Sequence, residues 1–476
     1  MAPTAPRKRP SIRAKSSSSN SGAGMIARPP PAHREGAILA DSFVNTKKDK
    51  RLIKSSSFLN RIEKAHKKPL KRRRPNKKLV TTLENLADAL PDVEDLVQDK
   101  ERGEGKLKML KALDLSNKMS SPKQSISRAS LNSIPTSFAS VSVGTPSDPL
   151  EKKLQAISSA KFQAIELGFP DLLSFASSYH GKEIQEKDYT CLCTAGAEIK
   201  KLCQTYNLRI MMLQPFANFE GWDKGSRERE DAFIRANGWI KIMQAVGTDM
   251  LQVGSSDAPN MITDKKTIAS DLAELADLLA PHGFRLAYEN WCWATVAPTW
   301  QDVWSIVQLA DRPNIGLCLD TFQTAGGEYG DPTTSTGLLS PFPSSAISLS
   351  DAYSSSLSLL ATTVPPSKIY VLQLSDAYKP PSPFQNRTID GLRPRSRWSH
   401  NFRPYLYNGG YLTEPCVAFA KAVLNTGARC WFSVEVFDGG NEGAEARVQE
   451  PGFGGFCQGA MGSVERLLAE CVDTTD

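Results

Sequence analysis

Two short apolar runs that each end in a carboxylate constrain the fold of this chain more than any other feature of its sequence. Residues 286–291 (LAYENW) contain Glu289, and residues 314–321 (NIGLCLDT) contain Asp320. Between them, residues 299–312 (TWQDVWSIVQLADR) space their apolar side chains at helical intervals. The pattern predicts a strand, a helix and a second strand, with an acid at the carboxyl end of each strand.

Two later runs repeat this arrangement. Residues 368–373 (KIYVLQ) end in Gln373, and residues 430–435 (CWFSVE) end in Glu435. Because the carboxyl ends of parallel strands meet at one rim of an α/β barrel, we expect Glu289, Asp320, Gln373 and Glu435 to lie together. Three carboxylates and an amide suit a hard divalent cation, Mg²⁺ or Mn²⁺, with Co²⁺ a further candidate. The alternative is that each acid caps the following helix or lies in a solvated loop.

Strand and helix patterns alternate along most of the chain. Four further strands are predicted before the runs above, at 138–144, 164–167, 209–214 and 249–254, and residues 284–288 form the fifth strand, which leads into Glu289. Helical spacing covers 150–161, 195–206, 231–246 and 271–279, and the Ser-rich segment 333–366 is expected to supply the helix between strands six and seven. Eight strands alternating with helices predict an α/β fold of the (β/α)8 TIM-barrel class rather than an open sheet.

The two parts of the chain carry opposite charge. Residues 1–130 hold 30 Lys and Arg against 13 Asp and Glu, a net charge of +17, whereas the remainder carries −10. Residues 1–45 have few large apolar side chains, which predicts disorder. We expect a basic, largely disordered extension over residues 1–133 and a barrel domain over residues 137–473.

Location follows from what the sequence lacks. No stretch reaches the ~18 consecutive apolar residues of a membrane helix, and the basic amino terminus has no secretion-signal core. Nine scattered cysteines favour reduced thiols over a disulfide framework. We therefore expect no membrane partner and a cytoplasmic location for the barrel.

A basic run marks the extension. Residues 67–78 (KKPLKRRRPNKK) are of a kind that binds phosphate backbones or nuclear import receptors through charge. Its cationic members include Lys71, Arg72, Arg73, Arg74, Lys77 and Lys78. The alternative is a solvated linker. Residues 79–90 then place leucines at 79, 83, 86 and 90, one apolar stripe on a helix, which requires a partner to cover it.

Residues 58–91 resemble the characteristic block of a small fungal family of nucleolar ribosome-biogenesis factors. Residues 71–79 and 86–91 carry this resemblance. It implies pre-ribosomal RNA or protein as a partner through residues 47–91, and a nuclear or nucleolar location if the segment is functional. Residues 98–133 are polar and are interpreted as a linker.

From about residue 137 onward the chain resembles the fungal 3-dehydroshikimate dehydratases of quinate catabolism, in the sugar-phosphate isomerase and epimerase-like barrel superfamily. Seven motifs carry the resemblance, in order: AIELGFPD (164–171), LQPFANFEGW (213–222), YENWCW (288–293), GLCLDTFQTAG (316–326), LQLSDA (372–377), RSRWSHNFR (395–403) and VEVFDG (434–439). The resemblance implies conversion of 3-dehydroshikimate to protocatechuate, with a divalent metal on Glu289, Asp320, Gln373 and Glu435.

The substrate that the resemblance implies is a cyclic ketone with a ring carboxylate, which needs a cationic or hydroxyl-bearing clamp. Ser399 and Arg403, with Arg397 and Arg395 beside them, supply that chemistry, since a guanidinium holds a carboxylate through two hydrogen bonds. The alternative is that this Arg-rich loop is a solvated surface.

The general base is left open. Bacterial relatives often have a histidine three residues after the aspartate ligand, whereas this chain has Gln323, which cannot accept a proton at neutral pH. Proton transfer then falls to Glu435, Glu289, Glu166 or metal-bound water, with His400 a further candidate.

Two alternative functions remain open at this point. A sugar isomerase or epimerase on the same barrel would be indifferent to Arg403→Ala, because sugars lack the ring carboxylate. A pre-ribosome adaptor would use residues 47–91, with the barrel an inactive remnant. The two resemblances concern unrelated processes, which suggests a fusion of neighbouring genes, either genuine or from a mispredicted gene boundary.

Overall fold

The computed structural model describes residues 126–340, 347–444 and 452–473. The basic run, the leucine stripe and the predicted disorder of the extension lie outside these residues. Within them, no helix combines the length and the apolarity that crossing a membrane would require. All nine cysteines lie in the described part of the chain, and none forms a disulfide, as expected.

Eight parallel strands close into a barrel, which confirms the predicted fold class. Their order around the barrel is β1-β2-β3-β4-β5-β6-β7-β9, so the closing pair is β9 with β1. Two further strands form a separate antiparallel pair: β8, which follows β7 in the chain, and β10, which follows β9. The strands are β1 Thr136–Ala139, β2 Ala164–Gly168, β3 Arg209–Phe216, β4 Met250–Gly254, β5 Arg285–Glu289, β6 Ile315–Asp320, β7 Ile369–Leu374, β8 Phe402–Arg403, β9 Trp431–Val434 and β10 Phe437–Asp438.

Helices surround the strands and bury their apolar faces against them. They are α1 Arg128–Leu131, α2 Leu150–Ser159, α3 Phe169–His180, α4 Tyr189–Thr205, α5 Arg227–Val246, α6 Lys265–Leu279, α7 Trp300–Ala310, α8 Thr321–Glu328, α9 Leu349–Thr363, α10 Pro394–Asn401, α11 Thr413–Asn425 and α12 Phe453–Cys471. Local sequence fixes several ends; for example, Thr299 and Asp302 form a reciprocal capping box at the start of α7.

The first strand differs from its prediction. It was expected at residues 138–144, but β1 ends at Ala139 and a 3₁₀ turn, Ser140–Ser142, follows. The reason lies in two serine hydroxyls, which leave the ladder to accept backbone hydrogen bonds: Ser140 Oγ from Gly168 N at 3.0 Å and Ser142 Oγ from Val436 N at 2.9 Å. Packing also begins earlier than residue 137, since Ile126 is fully buried and pairs through its backbone with Asp473.

The helices between β6 and β7 also differ in part. The predicted helix within 333–366 is present as α9, with Ser348 as its N-cap. A second helix, α8, starts directly after Asp320, and the Asp320 side chain accepts the Gln323 N–H as its N-cap bond. The alternative of a helix-capping acid is therefore correct for Asp320, alongside its place in the acid cluster described below.

A long excursion between β7 and β9 crosses the carboxyl-terminal mouth of the barrel. We call residues 379–403 the cap; it contains α10 and ends in β8, which pairs with β10. The carboxyl-terminal end of the cap is tied to the loop after β7, because Tyr378 N donates to Phe402 O and Asp376 N donates to Pro404 O, each at 2.8 Å. This excursion carries all four residues of the predicted substrate clamp.

One ion pair is buried between α2 and α3. Lys153 Nζ lies 2.7 Å from Asp171 Oδ1, and neither side chain is more than 1% exposed. Changing Asp171 to Asn leaves an uncompensated ammonium, and we expect the free energy of unfolding to fall by about 3–5 kcal/mol. Chemical denaturation measures this. The double variant Lys153→Met/Asp171→Asn, which removes the stranded charge, should recover much of the loss, whereas a cost below about 1 kcal/mol in the single variant would contradict the prediction.

Candidate active site

A ring of polar side chains lines the barrel where its strands end. An apolar layer lies below, formed by residues that include Met212, Met250, Ala287, Cys318 and Val371. Because side chains alternate along a strand, the residue two positions further on projects to the same inner face. On β2 to β7 those positions hold carboxylates and amides, namely Glu166, Gln214, Gln252, Glu289, Asp320 and Gln373, and Glu435 lies just past β9.

Three acids of this ring converge. Glu289, Asp320 and Glu435 each offer an oxygen, and these oxygens lie within 4.8 Å of one another. Their exposed fractions are 1%, 0% and 6%. Three carboxylates this close and this dry require compensating positive charge.

The fourth predicted ligand, Gln373, lies beside Asp320, since the two residues are register partners on β6 and β7. Its amide Nε2 donates to Glu166 Oε2 at 2.9 Å. Gln373 Oε1 and Glu289 Oε1 are buried and have no hydrogen-bond partner within the described chain. Buried oxygens rarely remain unsatisfied, so these two are free to serve as ligands.

Two glutamines that the sequence reasoning missed support the acids. Gln252 Nε2 donates to Glu289 Oε2, and Gln214 Nε2 donates to Glu435 Oε1 at 2.9 Å and to Glu166 Oε2 at 3.3 Å. Both lie two residues after a methionine of the apolar layer. Comparing the ends of all eight predicted strands at this spacing would have identified them.

Arg403 supplies the positive charge that the structure places among the acids. Its Nη2 donates to Asp320 Oδ2 and to Glu435 Oε2, the latter at 2.9 Å, and its Nε donates to Ser375 Oγ at 2.7 Å. The guanidinium also lies over the rings of Phe322 and Phe437. Its Nη1 has the long contact, 3.5 Å to Ser399 Oγ.

One guanidinium does not balance the acids. Burial, and after it the charges of Glu435 and Asp320, raise the pKa of Glu289 well above its ordinary value. Burial also raises the pKa of Asp320, although Arg403 opposes that change. Burial and the neighbouring Glu435 raise the pKa of Glu166 as well. The site therefore has a deficit of positive charge, and its oxygen-only donor set with two unpartnered oxygens fits a hard divalent cation.

The four residues of the predicted clamp separate into two pairs. Ser399 and Arg403 are buried next to the acids. Arg395 instead donates to the carbonyls of Gly326 and Gly330, at 2.8 and 3.1 Å. Arg397 donates to carbonyls of residues 385, 387 and 392 within the cap, at 2.7–3.1 Å. The solvated-surface alternative does not describe this loop, and Arg395 and Arg397 hold its backbone.

The remaining candidates occupy supporting positions. Gln323 Oε1 accepts the Cys292 N–H at 3.0 Å and so ties α8 to the loop after β5. His400 is exposed, with Nδ1 2.5 Å from Ser396 O. Glu166 is fully buried in the ring, and its Oε1 has no partner among the described residues. Of the candidates for the base outside the acid cluster, Glu166 alone lies in the ring.

Two family models match this chain. The family model described as xylose isomerase-like TIM barrel matches residues 154–451. A second model, described as ribosome biogenesis protein SLX9, matches residues 42–133, most of which lie outside the described structure. The two matches do not overlap.

Similar proteins match the barrel rather than the extension. A 3-dehydroshikimate dehydratase of Neurospora crassa is 31% identical over 308 residues, which cover 61% of this chain and 81% of that protein. A 3-dehydroshikimate dehydratase of Pseudomonas aeruginosa is 30% identical over 66% of this chain, which spans only 39% of its length. A solved fusion protein of a xylose isomerase-like TIM barrel and a 4-hydroxyphenylpyruvate dioxygenase has a similar fold, with a TM-score of 0.51 at 24% identity, covering 70% of this chain and 42% of that one.

Proposed function

Since this chain belongs to the xylose isomerase-like TIM-barrel family, we propose that it is a metal-dependent lyase that removes water from 3-dehydroshikimate and gives protocatechuate. The observation that carries the proposal is the convergence of Glu289, Asp320 and Glu435 at the strand ends. The similarity to the Neurospora crassa dehydratase over 81% of that protein supports the choice of reaction within a family of many chemistries.

Glu289, Asp320, Gln373 and Glu435 would hold the cation, and Mg²⁺ or Mn²⁺ suits their oxygen atoms best. A divalent ion bound there acts as a Lewis acid, which polarises the ketone oxygen of the substrate and acidifies the neighbouring C–H. The specific ion is part of the proposal.

A carboxylate of the polar ring removes the proton from the carbon next to the ketone. Glu166 suits this role because it is buried and its Oε1 is unpartnered among the described residues, while Glu289 and Glu435 remain alternatives. The hydroxyl group β to the ketone then leaves as water. The dienone that results tautomerises to an aromatic ring, and aromaticity makes the sequence irreversible.

Ser399 and Arg403 would bind the ring carboxylate. The Nη2 and Nε of Arg403 are committed to Asp320, Glu435 and Ser375, whereas Nη1 and the Ser399 hydroxyl face each other at 3.5 Å. These two groups form a small donor pair beside the acids, which suits a carboxylate oxygen.

A direct assay tests the function. Full-length protein, Mg²⁺ or Mn²⁺ and 3-dehydroshikimate are expected to give protocatechuate, measured by chromatography and by the rise of catechol absorbance. Conversion of ketoses without protocatechuate would favour the isomerase alternative, and no product with Mg²⁺, Mn²⁺ or Co²⁺ would rule out the dehydratase. Arg403→Ala does not discriminate between the two activities, because Arg403 contacts the acids that either reaction would use.

A second function is supported by the match of residues 42–133 to the ribosome biogenesis family. We infer that this segment binds the pre-ribosome through its basic run, which would place the protein in the nucleolus. Full-length tagged protein is expected to co-sediment with small-subunit precursors, and deletion of residues 42–125 is expected to abolish this. Transcript reads that span the codons for residues 100–137 test whether the fusion is genuine.

A further inference from the structure

The cap lies over a site that is closed to solvent. Beneath it, Asp320 and Gln373 are fully buried and Glu289 is 1% exposed, and Arg403, the last residue of the cap, is also 1% exposed. A substrate with six ring atoms cannot reach such side chains unless something above them moves. The cap is the segment that crosses this mouth, so its attachments decide when the site is open.

Arg393 attaches the cap to the opposite side of the mouth. Its Nη1 donates to Trp293 O at 2.7 Å, and its Nη2 donates to Thr295 Oγ1 at 2.8 Å and to Asp257 O at 3.1 Å. Trp293 and Thr295 belong to the loop after β5, and Asp257 belongs to the loop after β4. One side chain therefore joins three chain segments.

The position of Arg393 at the start of α10 determines which loops its guanidinium can reach. It is the N-cap residue of α10, and Pro394 fixes the backbone immediately after it. Its acceptors are neutral, so the contact consists of charge-assisted hydrogen bonds without an ion pair, and these break without exposing an unpaired carboxylate. Arg395 and Arg397 differ, because Arg395 reaches the end of α8 and Asp331 just beyond it, and Arg397 stays within the cap.

Aromatic contacts continue across the same seam. Trp291 stacks on Trp293 with ring centroids 5.2 Å apart, Trp293 lies 6.0 Å from His400 of the cap, and His400 lies 6.2 Å from Phe437 of β10. Phe437 in turn lies over the Arg403 guanidinium. These rings form a row above the site, and Arg393 donates to the backbone carbonyl of Trp293, a member of that row.

We propose that Arg393 is a positioning residue that latches the cap shut across the loops after β4 and β5, and that this latch opens to admit substrate. Its kinetic consequence rests on the proposed dehydratase function, whereas the latch itself does not. Because substrate enters through the open form and is then held in the closed form, the apparent affinity is proportional to the closed fraction. Loosening the latch should therefore raise KM and leave kcat nearly unchanged.

Limited trypsin digestion tests the latch without any activity. Arg387 is followed by Thr388, and its carbonyl accepts from Arg397 Nη1 at 3.0 Å, so cleavage there requires the cap backbone to loosen. Arg393 precedes Pro394 and is itself resistant. Arg393→Gln is expected to accelerate cleavage after Arg387 by at least about tenfold, the equivalent of one lost charge-assisted hydrogen bond. Mass spectrometry of digests of the full-length protein measures the rate of this cleavage.

The chain offers a matched control in Arg429. It also donates to two backbone carbonyls, Leu424 O and Ala428 O, and to one hydroxyl, Ser130 Oγ, but it lies just before β9 at the opposite end of the barrel. Arg429→Gln should leave cleavage after Arg387 unchanged. Equal acceleration in both variants, or none in Arg393→Gln, would overturn the proposal.

Milder variants keep the test decisive if Arg393→Gln does not fold. Thr295→Val removes one of the three acceptors, and Arg393→Lys keeps the charge but loses the fork, so both should give intermediate acceleration. In the dehydration assay, Arg393→Gln is expected to raise KM by a smaller factor than it accelerates cleavage, because the wild-type cap is mostly closed, while kcat changes less than about threefold. A fall in kcat at unchanged KM would contradict the latch, and if no dehydration is observed for any form, the trypsin result still decides it.

Discussion

Changing Glu435 to Ala is expected to lower kcat/KM for 3-dehydroshikimate by at least about 10³-fold, because ligand loss forfeits several kcal/mol of charge stabilisation. Glu435 has two further partners that amplify the effect: Gln214 Nε2 and Arg403 Nη2, each at 2.9 Å. Initial rates of protocatechuate formation measure the loss, and metal analysis of the purified variant reports the ion.

A matched pair of isosteric changes separates the acid cluster from burial in general. Glu289→Gln alters a cluster acid, whereas Glu220→Gln alters a fully buried acid outside the cluster, whose Oε1 accepts from Ser256 N and Tyr288 Oη. A glutamine preserves that acceptor oxygen. We expect Glu289→Gln to lose metal and activity and Glu220→Gln to retain both; equal losses would refute a metal role for Glu289.

Removal of divalent metal with a chelator should abolish product formation and lower the melting temperature. A ligand present at a hundred times its dissociation constant stabilises a folded protein by about 2.7 kcal/mol, so the unfolding transition should move by several degrees. Added Mn²⁺ or Mg²⁺ should restore both properties. Activity assays and thermal denaturation of the same sample provide the measurements.

The variants supply the control for this experiment. The melting temperature of Glu289→Gln or Glu435→Ala should not respond to chelator or metal, because the ion has lost its ligand set. Full activity of the wild-type protein after exhaustive chelation, verified by metal analysis, would contradict the proposed cofactor.

Periodicity was sufficient to predict the barrel strands, because each is a buried run whose ends are marked by charge, glycine or proline. The acid cluster followed from the same reasoning, since parallel strands bring their carboxyl ends to one rim. Periodicity was less suited to β1, because the hydroxyls of Ser140 and Ser142 accept backbone hydrogen bonds from the ends of neighbouring strands and the ladder ends early.

Helix α3 was missed although its sequence carries usable signals. Pro170 lies in its first turn, and Gly181 ends it with a φ of 64°, the left-handed conformation that favours glycine. Helix α3 begins at Phe169, directly after β2 ends at Gly168, so no loop marks the boundary. Its cap residues, rather than its apolar spacing, identify this helix.

The roles within the cap could not be predicted from local sequence. α10 has little amphipathic pattern, and β8 and β10 have two residues each, so no periodicity marks them. Arg403 lies 83 residues from Asp320 in the chain, and only the folded loops bring them into contact. Three arginines and a serine of the predicted clamp looked alike as cation-rich sequence, yet they divide between the acid cluster and the loop backbone.

The guanidinium of Arg403 bears on how this protein is assembled. Since it arrives from the excursion after β7 rather than from the eight barrel strands, the acids acquire an internal counterion as soon as the chain closes over them. The positive charge of Arg403 thereby reduces the electrostatic repulsion among these acids during folding. On the proposed metal site, this internal counterion would let folding precede the binding of the ion.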